Sequence, residues 1–130
     1  MSAWNQKEKE EIEFRIEAVK KFLEEWTRYD ELFQKAYHEQ NTTPEEEQEF
    51  LQLKSNLARR HQYLMEYLGE EYRRPEPITE YLSDTVTLWN MYGIHVDFYK
   101  KLCLRWHATF IHLNEALGYL QTHHEIEMPL

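Results

Sequence analysis

Seven histidines in 130 residues bring metal coordination to mind first. Two ligands on one helix share a face only when they stand three or four residues apart. His38, His61, His95, His107, His112, His123 and His124 offer no such pair, since His107 and His112 are five apart and His123 and His124 are adjacent. Di-iron helical bundles draw on Glu-x-x-His pairs, and the chain contains none; His112 and Glu115 give the reverse order once. No metal site within one chain and no cofactor is expected, although histidines from two chains could combine at an interface.

Nucleophile chemistry is equally sparse. Cys103 lies on an apolar stripe, where a free thiol behaves as a small hydrophobe. His107 stands one turn on, the spacing a thiolate-activating pair requires, but no Asn or Asp is placed to orient it. The sequence holds no glycine-rich phosphate loop, serine elbow or His-Glu-x-x-His run.

Two polar residues, Asp30 and His61, fall where the pattern asks for apolar ones. Asp30 occupies a seam position, and a lone carboxylate there is costly unless paired. Antiparallel pairing of the first two helices brings it near Lys54, which predicts an ion pair that fixes their register; the alternative is a polar hole lining a ligand site. His61 sits among Leu57, Ala58, Leu64, Met65 and Leu68, so it is expected to point inward, close to Trp89, with its pKa lowered by desolvation.

The elements that position these residues are helical. Three glycines and four prolines are too few for the frequent turns of an all-β chain, and 42% hydrophobic residues are too many for a disordered one. Residues 4–40 carry Ile12, Ile16, Val19, Leu23, Trp26, Phe33 and Tyr37 in steps of four and three, with Phe22, Tyr29 and Ala36 widening the stripe. Thr43, Pro44 and Glu46 spell a capping box that opens a second helix over 44–72, with Phe50, Leu53, Leu57, Ala58, Leu64, Met65 and Leu68 on its apolar face. Arg73-Arg74-Pro75-Glu76-Pro77 ends it.

A third segment over 77–123 keeps one apolar frame from Ile78 through Thr85, Trp89, Tyr92, Val96, Tyr99, Cys103, Trp106 and Phe110 to Leu120. It reads as one helix kinked, or two split, near Gly93, with 124–130 as a tail. The expectation is a single all-α domain over 1–130: an antiparallel bundle of three long helices, or four if the third divides, with coiled-coil-like packing.

Charge and composition limit the partners. A net charge of −9, spread so that each third of the chain is acidic, disfavours phosphate backbones, so no nucleic acid is expected. One cysteine suits a reducing compartment, and neither a leader-like apolar run after Met1 nor a spanning stretch is present, so a cytoplasmic protein without membrane partner is expected.

If segment three pairs with segment two, it outruns its partner beyond Trp106. Trp106, Phe110, Leu113, Leu117 and Leu120 would then form an exposed apolar face, hence a candidate interface and a homo-oligomer, most simply a dimer. The function this suggests is non-enzymatic: a protein-interaction module such as an adaptor, assembly subunit or small chaperone-like partner, self-associating through its C-terminal helix. Two alternatives are a ligand- or metal-binding bundle with its site at a dimer interface, and an acidic inhibitor that occupies a basic surface of another protein.

Overall fold

The computed structural model describes residues 6–68 and 78–127. The expected helix start at Trp4, the end of the second helix at Tyr72 with its Arg73–Pro77 stop, and the tail over 128–130 lie outside the described residues. The chain is all-α, with α1 at Gln6–Glu39, α2 at Pro44–Leu68, α3 at Ile78–Asp84 and α4 at Val96–Glu127, and a 3-10 turn at Trp89–Met91 before α4.

The α1–α2 connection follows from its capping residues. The backbone N–H of Glu46 donates to Thr43 Oγ1 at 3.1 Å, and the Thr43 N–H donates to Glu46 Oε1 at 2.9 Å, so two of the orphan donors at the start of α2 are satisfied reciprocally. Across the pair, Arg28 grips Glu49 with two bonds of 2.7 and 2.8 Å, and Lys35 meets Glu46 at 2.7 Å.

α1 is the central helix, packed against α2 on one side and α4 on the other. Its deepest residues are therefore Phe22, Trp26, Tyr29, Phe33 and Ala36, while Leu23, Asp30 and Tyr37 fall on the margin of the stripe. α2 buries a narrower line, Phe50, Leu53, Leu57, His61 and Leu64, and turns Ala58 and Met65 to solvent. This narrowing follows from α2 having one long neighbour where α1 has two.

Segment three departs most from expectation. α3 ends at Asp84; the Thr85 N–H still bonds the Tyr81 carbonyl at 3.0 Å, and beyond it side chains of α2 take over backbone groups that a continuing helix would have paired. Lys54 Nζ donates to the carbonyls of Thr85 and Val86, each at 2.6 Å, and the Leu88 N–H donates to the buried Glu47 carboxylate at 3.0 Å. These bonds supply what a helix would have supplied, so the chain can leave the helix without stranding polar groups. Gly93 at φ +68° then turns it into α4, a conformation that glycine adopts without strain.

α4 runs antiparallel to α1, with Tyr99 stacked on Phe33 and Trp106 on Trp26. Its 32 residues lie along the 34 of α1, so the expected overhang past α2 does not exist. Leu113 and Leu120 are fully buried within the chain, and Trp106, Phe110 and Leu117 pack against the same core. As a candidate interface that set is corrected: α1 covers the face that α2 was too short to cover. Among the described residues no helix is long and apolar enough to cross a membrane.

Candidate functional site

The α1–α4 seam opens into a groove of about 520 Å³ whose walls include Asp30, Gln34, Tyr99, Cys103, Leu104 and Trp106, with Lys100 and His107 at its rim. Antiparallel packing produces it: the marginal positions 30 and 34 of α1 face positions 99, 103 and 106 of α4, one and two turns apart on each helix.

Asp30 is half-buried and accepts a hydrogen bond from Gln34 Nε2 at 3.2 Å. Burial raises its pKa above the ordinary carboxylate value, Gln34 offsets part of this, and the neighbouring Glu31 charge adds to it. The expected pairing with Lys54 is not formed. Lys54 reaches round the α2 side to the Thr85 and Val86 carbonyls, and its ammonium is pulled down in pKa by burial despite the nearby Glu47. The two residues answer to different neighbours of α1, and the register role falls to Arg28–Glu49 and Lys35–Glu46.

A polar chain continues from Asp30. Gln34 Nε2 also approaches Cys103 Sγ at 3.5 Å, Tyr99 donates its hydroxyl proton to Gln34 Oε1, and His38 Nε2 lies 3.1 Å from the same hydroxyl. The Tyr99 pKa is pushed up to about 12, first by burial and then by its contact with Cys103. Cys103 thus engages Gln34 and Tyr99, while His107 stacks beside Phe110, so the thiol and the imidazole one turn on are directed to different neighbours.

Behind the groove stands Tyr81 of α3, 2% exposed, with its ring against Trp26 and Tyr29. Its hydroxyl has no hydrogen-bond partner among the described residues. Burial, and then the charges of Tyr29, Asp30 and Cys103, raise its pKa well above the ordinary phenol value. Sequence reasoning missed Tyr81, because it lies one step off the frame that runs through Ile78, Leu82 and Thr85.

His61 is buried, and desolvation lowers its pKa as expected. Its expected neighbour is not Trp89. The 3-10 turn is tied to Glu47, fourteen residues before His61 on α2, and that separation is about 21 Å at helical rise. Trp89 itself is 55% exposed.

A second groove of about 430 Å³ lies between α1 and α2, with Phe14, Lys21, Arg59 and Tyr63 among its walls. There the buried carboxylate of Glu25 is already matched by Arg60 and by Asn56 at 3.0 Å. In the α1–α4 groove no cation among the described residues pairs with the Asp30 carboxylate, which makes that groove the stronger candidate. Among the described residues, no three His, Cys, Asp or Glu side chains group so as to hold a metal ion.

On the solvent side of α4, bordering the groove, Leu104 is 72% exposed, Ile111 45% and Tyr119 53%; large apolar side chains are exposed elsewhere too, Phe14 and Trp89 among them. Comparison with family models, with curated proteins and with solved structures finds no match to this chain.

Proposed function

We propose that the chain is a non-enzymatic protein-interaction module whose partner docks on the exposed side of α4. The observation that carries this reading is the line of Leu104, Ile111 and Tyr119, three large apolar side chains left in water on a helix whose opposite side is already buried against α1. Contiguous exposed apolar surface of this kind marks an interaction site. The reason for expecting a dimer, an overhanging C-terminal half, has gone, so the partner is taken to be another protein.

Light scattering at micromolar concentration, paired with affinity capture and mass spectrometry, tests the reading. The expected result is a monomer that retains a partner, and an Ile111→Glu variant that folds normally but loses it. A dimer dispersed by Ile111→Glu would assign the face to a second copy. Retention of every partner by Ile111→Glu and by Leu104→Glu would overturn the assignment to α4.

A further inference from the structure

Asp30 presents an electrostatic deficit that nothing within the described chain repairs. It is half-buried, it accepts one amide bond from Gln34, and no cation among the described residues pairs with it. A carboxylate withdrawn from water is costly until a cation or several donors compensate it. Tyr81, whose ring packs on Trp26 and Tyr29, holds a buried hydroxyl that also lacks a partner among the described residues. One wall is the Trp106 ring, and the solvent edge is Leu104.

We infer that the groove is a socket for an arginine side chain presented by a basic amphipathic helix of the partner. This rests on the α4 docking reading above and names the partner's chemistry. Guanidinium offers five donors in a planar fork, which meets a carboxylate through two parallel bonds. A lysine ammonium fits less well, being compact and more strongly hydrated.

The rim selects a helix as carrier. From Leu104 to Ile111 is two helical turns, about 10.5 Å along α4, which matches the i to i+7 spacing of apolar anchors on a docked helix. The net charge of −9 attracts a basic segment and repels an acidic one. Lys100 and His107 stand at the rim without pairing with Asp30, so an incoming arginine displaces no existing ion pair.

The test uses the full chain labelled with ¹⁵N and three probes: a short helical peptide of leucine and arginine, the same peptide with citrulline for every arginine, and n-butylguanidinium chloride. The arginine peptide is expected to shift the Gln34 side-chain amide and the Trp106 indole resonances. The citrulline peptide, equal in shape and without charge, is expected to bind about tenfold more weakly. Asp30→Asn, nearly isosteric and checked for helicity by circular dichroism, is expected to cost the arginine peptide a similar factor and leave the citrulline peptide unchanged.

Equal binding of the arginine peptide to Asp30→Asn and to the parent chain would overturn the socket, as would shifts confined to other parts of the molecule or none at all. Butylguanidinium binding as tightly as the peptide would overturn the helical carrier in favour of a small cation. The two readings fail separately. Loss of both peptides in Ile111→Glu with Asp30→Asn neutral keeps the α4 face and discards the socket, whereas loss in Asp30→Asn with Ile111→Glu neutral keeps the socket and discards the face.

Discussion

Trp26 and Trp106 each donate the indole N–H to the other's backbone carbonyl, at 3.1 and 3.0 Å, with their rings parallel to within 2°. The exchange joins α1 to α4 at one level and sets the register of the two helices, which brings positions 30 and 34 opposite 99, 103 and 106. The groove is a consequence of that register.

Trp106→Phe keeps an aromatic ring in the stack and removes one donor, for an expected loss of about 1 kcal/mol. Trp26→Phe is expected to cost more, about 2–3 kcal/mol, because Trp26 is fully buried and the smaller ring leaves a cavity. Urea unfolding of the two single variants and the double variant checks both values. The two hydrogen bonds end on backbone carbonyls and are lost independently, but the rings stack on each other, so the double variant should lose less than the sum of the singles.

Removing the charge from Asp30 should stabilise the isolated chain. Its folded pKa is raised, so the folded state holds its proton more tightly than the unfolded state does. Stability therefore falls as pH rises from the unfolded carboxylate value through the folded one, and the penalty is complete above it. Asp30→Asn is expected to gain about 0.5 kcal/mol at neutral pH, a figure reduced for the carboxylate's partial contact with solvent. The gain should shrink as the pH is lowered and Asp30 becomes protonated, which thermal unfolding at several pH values would show.

His61 acts in the opposite sense. Burial lowers its folded pKa beneath the unfolded value of about 6.5, so the unfolded state binds the proton more readily. Stability from this residue is fully present above that unfolded value and is lost as pH falls through the interval down to the folded pKa. His61→Leu should flatten the stability profile just below neutrality and leave the Asp30 effect at lower pH intact. An unchanged profile in His61→Leu would place the acid-sensitive group elsewhere.

The helices were legible because periodicity and caps are local. Thr43 and Glu46 announce the start of α2 through bonds between residues three apart, and the α1 stripe records a buried face whatever covers it. What periodicity cannot encode is the covering element. The stripe from Phe110 to Leu120 told that α4 has an apolar side, and only the fold shows α1 lying on it. The same limit explains Asp30: a polar residue in a seam position was visible, but whether it faced α2 or α4 depended on which helix occupied each side of α1. The unbroken frame through Thr85 and Trp89 misled for a related reason. Leu88 and Met91 are buried as a helix would bury them, yet the backbone around Thr85 and Leu88 is satisfied by Lys54 and Glu47.

Lys54 is thus the residue whose loss should tell most about the link between α3 and α4. Its ammonium closes the carbonyls of Thr85 and Val86, and Thr85 is itself fully buried, with its hydroxyl donating to the Tyr81 carbonyl at 2.9 Å and lying 2.6 Å from the Tyr29 hydroxyl. Since Thr85 gives its proton to Tyr81, Tyr29 must donate to Thr85, and this fixes the direction of the bond chain from α1 into α3. Lys54→Met keeps much of the side-chain length over the Phe50 ring but removes the donor to the Val86 carbonyl and leaves the Thr85 carbonyl only the longer contact of the Tyr29 hydroxyl at 3.4 Å, at an expected cost of about 1–3 kcal/mol. Hydrogen exchange should rise most at Leu88 and Met91, while α1 and α2 keep their protection. Exchange rising equally throughout the chain would mean that the 85–91 link unfolds only with the whole molecule, and that Lys54 contributes to global stability alone.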